Sequence, residues 1–201
     1  MGPWIHQAKT KMVSIVEGVR IEHPLAMMKV AFVGYRDYGD TERHIVIPFM
    51  GVAETMASIQ NVNAEGGDDT AEDVAHGLFN ALHQDWTGAN VKLVFHIADA
   101  PPHGMDFHHP RVSDRFPSGD PDGLDPRDTI ERMSFLDIHF TFVQIDSSTD
   151  IMMEEFNNCY TQGGTFTVVD LRPQCTRYTF DQTLTRSISD SITEYTSSQA
   201  L

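Results

Sequence analysis

VKLVFHIADA, residues Val91 to Ala100, decides how the rest of the chain is read. The run is apolar almost throughout and rich in β-formers, the pattern of a strand buried on both faces. A carboxylate, Asp99, stands at the carboxyl end of that strand, and Pro101 and Pro102 then turn the chain. A charge ending an apolar strand needs a partner. Nearby backbone amides would serve. So would a hard divalent cation such as Mg²⁺, which suits carboxylate and hydroxyl oxygens.

Strand and helix patterns alternate on either side of this run. Ile5, Ala8, Met12, Ile15 and Val19 mark one face of a helix over residues 3–19, with Pro3 in its first turn. KVAFVGY (29–35) reads as a buried strand ended by RDYGD. HIVIPF (44–49) reads as a second strand, and Pro48 places it at an edge. Val52, Met56 and Ile59 predict a short helix. In GGDDTAEDVAHGLFNALHQ, Asp69 or Thr70 can cap a helix whose buried side carries Val74, Leu78 and Leu82. Gly66 and Gly67 permit a tight turn ahead of it.

Beyond Ala100, residues 101–126 form a long loop rich in Pro, Gly, Asp and His, and loops of that length are often functional. A short helix near Thr129–Met133, the strand IHFTFVQI, the helix STDIMMEEFNNCY ended by Gly163 and Gly164, and the strand TFTVV follow. Leu184, Ile188, Ile192 and Tyr195 make the face of a terminal helix. The alternation predicts an α/β fold in one domain over residues 1–201, a doubly wound, mostly parallel sheet with helices on both faces. Sites in such sheets gather at the carboxyl ends of strands. Two ends stand out, the loop holding Asp69 and the turn holding Asp99.

Fourteen basic residues against 29 acidic ones give a formal charge of −15 over 201 residues. So acidic a surface repels nucleic acid and anionic membrane and favours cations or basic partners. Cys159 and Cys175 make no disulfide framework, which points to a reducing compartment. No apolar run is long enough for a membrane span, and no apolar secretory core opens the chain, so a cytoplasmic location is expected. Neither a Gly-x-Ser-x-Gly elbow nor a phosphate-binding P-loop occurs. The histidines at 96, 103, 108 and 109 raise the alternative of a zinc site, since zinc takes imidazole and carboxylate ligands, but His-x₄-His-His matches no zinc spacing.

FVGYRDYGD, GGDDTAEDVAHGL, IADAPPHG, DRFPSGDPDGLDP and GGTF follow in an order that resembles the von Willebrand factor type A domain, in the subgroup accompanying alpha-type protein kinases. The resemblance covers nearly the whole chain and implies that Asp69 and Asp99 are ligands of a metal-ion-dependent adhesion site holding Mg²⁺ or Mn²⁺. An acidic side chain of a protein partner would complete the coordination. The family's first motif, Asp-x-Ser/Thr-x-Ser after a central first strand, is absent. The resemblance therefore implies a chain lacking that strand, with weak metal binding and unpaired strand edges prone to self-association. Three functions follow. The first is a non-enzymatic binding module. The second is the accessory part of an alpha-type kinase whose catalytic domain is not within these residues. The third is a zinc hydrolase using His103, His108 and Asp99.

Overall fold

The computed structural model describes residues 2–63, 65–66, 68–172 and 180–198. Strands β3 (Leu93–Ala98), β4 (His139–Gln144) and β5 (Phe166–Asp170) form a parallel sheet in that order. Leu93 pairs with His139 and Ala98 with Gln144, while Phe140 pairs with Phe166 and Gln144 with Asp170. The ladder ends at Ala98, so Asp99 lies just past the strand, where its carbonyl accepts a hydrogen bond from Ser148 Oγ (2.8 Å).

Strands β1 (Lys29–Tyr35) and β2 (His44–Gly51) pair antiparallel as a second, two-stranded sheet. The register shifts between Val30 and Phe32, where the partner strand carries Pro48, a residue with no donor for the ladder. Among the described residues no ladder joins β1 to β3. A side-chain contact spans that interval instead, with the Tyr35 hydroxyl 2.8 Å from His96 Nε2.

Helices cover both faces of the parallel sheet. On one face the fully buried Phe140 and Phe142 of β4 pack with Leu78 of α3 (Val74–Leu82), Ile130 of α4 (Pro126–Phe135), and Met152 and Phe156 of α5 (Asp150–Cys159). On the other, Val143 and Ile145 meet Ile15 of α1 (Gly2–Glu22) and Leu184 of α6 (Phe180–Ser198). Burial on both sides matches β4, five of whose six residues are buried although His139, Thr141 and Gln144 are polar. Helix α2 (Val52–Ile59) buries Ile59 and Thr55, whose hydroxyl donates to Val30 O (2.8 Å).

Two helices start elsewhere than their sequence implies. The helix expected from Asp69 or Thr70 begins at Val74, capped by Asp73, which accepts from His76 N (3.2 Å). The preceding amides bond other segments: Thr70 N and Ala71 N donate to Ser113 O, Glu72 N to Pro101 O and Asp73 N to Arg36 O. The helix expected near Thr129–Met133 starts earlier, because Asp125 caps it and Pro126 fits its first turn. Ile15 and Val19 of the predicted α1 face are buried, whereas the side chains of Ile5, Ala8 and Met12 lie outside the described residues, as do Gly67 and Cys175. Among the described residues no helix is long and apolar enough to cross a membrane.

Candidate metal centre

Three segments meet at the carboxyl ends of β1 and β3. The turn after β1 brings Asp37 and Asp40, the loop before α3 brings Asp69 and Glu72, and the exit of β3 brings Asp99. The amides of residues 70–73 tie these segments together, and Glu72 forms a parallel bridge with Pro102. Glu72 registers the crowding. Burial first, then Asp37, Asp40, Asp99 and Asp69, push its carboxyl up to about 8.

Asp37 sits deepest, at 2 % exposure. Its Oδ1 accepts from Tyr38 N (2.6 Å) and from His103 Nε2 (2.7 Å). Its Oδ2 is buried with no hydrogen-bond partner. Asp69, whose side chain is 4 % exposed, accepts from Arg115 N at Oδ2 (2.6 Å). Its Oδ1 is likewise buried with no hydrogen-bond partner, the Arg115 Nε lying 4.0 Å away. Both carboxylates adjoin His103, which bonds Asp37 and has a ring nitrogen within 4.8 Å of an Asp69 oxygen. Burial pushes the Asp37 carboxyl up, the His103 bond opposes this, and Asp69 pushes it up further.

Beneath Asp37 runs a buried relay. His103 bonds Asp37 on one side and Asp114 Oδ1 on the other (2.7 Å). Asp114 also accepts from His108 Nε2 (3.0 Å), Gly104 N (2.9 Å) and Phe116 N (2.7 Å). Burial would raise the Asp114 carboxyl, but these donors outweigh it and hold it below its ordinary value. Gly104 has φ +108°, a left-handed conformation that glycine adopts without strain.

Three sets of His and Asp side chains place donor atoms within 4.8 Å of one another: His44–Asp73–His76, Asp69–His103–Asp114 and His76–Asp120–Asp122. Each could hold a metal ion by distance alone. In the first and third, Arg43 already stands in the middle. Its guanidinium bonds the fully buried Asp73 carboxylate and Asp122 Oδ2 (2.9 Å) and approaches His76 Nδ1 (2.8 Å). In the second, both ring nitrogens of His103 are already engaged, by Asp37 Oδ1 and by Asp114 Oδ1 at 2.7 Å each, so the ring has no open position for an ion. The oxygens left over are those of Asp37 and Asp69, a donor set that suits a hard cation rather than zinc.

Of the two residues singled out from sequence, Asp69 lies in this centre. Asp99 is half-buried at its margin, acting on Glu72 and Tyr35, and belongs to none of the three sets. His103 and His108 do come together, but on Asp114 rather than Asp99, and His108 Nδ1 donates to His109 O (3.1 Å). His96 lies among Phe140, Phe142 and Phe156, and burial lowers its pKa to about 4. Sequence reasoning missed Asp37, placed in a mere turn, and Asp114, the first residue of DRFPSGDPDGLDP. The other acids of that stretch also have partners: Tyr38 OH donates to Asp120 (2.8 Å), Arg43 pairs with Asp122, and Asp125 caps α4. The Asp125-Pro126 pair was a readable helix start.

Fold and site together define an α/β protein with an acidic centre at its strand ends that could hold a metal ion. The chain is similar to "Alpha-protein kinase vwkA" of Dictyostelium discoideum, with 29% identity over 158 residues, which is 78% of this chain and 25% of that protein. It thus matches about a quarter of that relative's length. No family model matches the chain.

Proposed function

We propose that this chain is a non-catalytic, cation-dependent protein-binding module of the von Willebrand factor type A kind, attached to or working beside an alpha-type kinase. The buried, partly unsatisfied carboxylates at the strand ends carry the reading. Asp69, with Asp99 at the margin, would hold Mg²⁺ or Mn²⁺, and an acidic side chain of a protein partner would complete the coordination. The bound ion supplies a positive charge that attracts that side chain in a partly desolvated site. Similarity to a kinase relative supports the accessory role, and on this reading the described residues recognise a partner rather than transfer phosphate. A cytoplasmic setting fits such a role. The interval between β1 and β3 supports a tendency to self-associate through strand edges, which sedimentation at rising concentration would reveal.

A pull-down from cell extract tests the reading. Retention of a partner that chelator abolishes and Asp99→Ala weakens supports it. Retention indifferent to chelator contradicts it.

A further inference from the structure

We propose that Asp37, in the turn after β1, is a direct ligand of the divalent cation, so that the ion joins the β1 turn to the loop before α3. This rests on the cation-binding reading above and adds a ligand from a different element. Asp37 Oδ2 and Asp69 Oδ1 are both buried, and neither has a hydrogen-bond partner. Asp37 is 2 % exposed and lies 2.7 Å from His103, which in turn places a ring nitrogen within 4.8 Å of an Asp69 oxygen. Two buried carboxylate oxygens with no donor need a compensating positive charge.

A shared proton is the simplest supply, but it cancels one charge only. Asp40, Glu72 and Asp99 bring further carboxyl groups to the same strand ends. A divalent cation cancels two charges and engages both unsatisfied oxygens at once. Carboxylate oxygens are the ligands Mg²⁺ and Mn²⁺ take. The rest of the Asp37 carboxylate is already fixed, because Oδ1 is held by Tyr38 N and His103 Nε2. His103 is in turn held by Asp114, which His108, Gly104 N and Phe116 N anchor. Oδ2 is therefore presented rigidly, by supporting bonds of the kind that orient metal ligands. A residue that only ended the strand would not need that support.

Asp37→Asn separates a ligand from a structural residue. The amide keeps an acceptor for Tyr38 N and His103, and its NH₂ can donate to Asp69 Oδ1. Without metal the variant should melt at or above the temperature of the original chain. Its affinity for Mn²⁺, followed by loss of the free-ion electron paramagnetic resonance signal, should fall at least about tenfold, since even supporting residues cost 10–100-fold when removed. Asp69→Asn serves as reference and should lose affinity comparably. If the chain binds Mn²⁺ and Asp37→Asn binds it equally well, the Asp37 assignment is overturned and the cation reading stands. If Asp37→Asn loses affinity and also melts lower without metal, Asp37 is structural and the assignment is again overturned. If the unaltered chain binds no Mn²⁺ at millimolar concentration, both readings fall.

Discussion

Replacing Glu72 by glutamine should stabilise the protein, and only at high pH. Glu72 is half-buried among Asp37, Asp40, Asp69 and Asp99, and its carboxyl is raised from 4.5 to about 8, mainly by burial. A carboxyl raised on folding favours the native state while it holds its proton. That contribution is complete below pH 4.5 and is lost as pH rises through about 8. At about 1.4 kcal/mol for each tenfold change in proton affinity, the full displacement corresponds to about 5 kcal/mol. Water reaches part of the side chain, so about 2 kcal/mol is the expected penalty once the group is charged. Glutamine has the same shape and no charge, so it removes the penalty. Urea unfolding of both proteins at pH 5 and pH 9, in chelator, should give nearly equal stabilities at pH 5. At pH 9 Glu72→Gln should lead by about 2 kcal/mol. Added Mn²⁺ should narrow that lead. Equal stabilities at pH 9, or a lead of the same size at both pH values, would refute the reasoning.

Other consequences follow from the packing. Arg43→Ala leaves the fully buried Asp73 carboxylate with only His44 and His76 as side-chain partners, and should cost about 3 kcal/mol in denaturant unfolding. Phe142→Ala empties a fully buried position between β4 and α5 and should cost about 3–5 kcal/mol by the same assay. Burial holds His96 down from 6.5 to about 4, so its contribution is present above pH 6.5 and is lost as pH falls through 4. Thermal melts should lose about 3 kcal/mol over that window, and His96→Phe should flatten the acid limb.

The elements legible in the sequence were those whose burial is decided locally. β3 announced itself as an apolar run, and β4 and β5 as short runs of β-formers whose apolar residues enter the two cores. The start of α3 was not legible, because the amides of residues 70–73 bond Ser113, Pro101 and Arg36, partners far off in the chain. Asp69 and Asp99 stood out because each sits near a strand end. Asp37 did not, since its meaning depends on His103, 66 residues later, and on a buried oxygen that only the folded chain reveals. The long loop carried five carboxylates, and nothing local distinguishes Asp114, which holds two histidines, from Asp125, which caps a helix.

The proposed site takes a hard divalent cation among the carboxylates at the ends of β1 and β3. Anomalous diffraction from crystals soaked in Mn²⁺ tests it most directly. A manganese peak bonded to oxygens of Asp37 and Asp69, on the side toward Asp99, is the expected result. A peak at His44, Asp73 and His76 instead, or none at the strand ends, would contradict it.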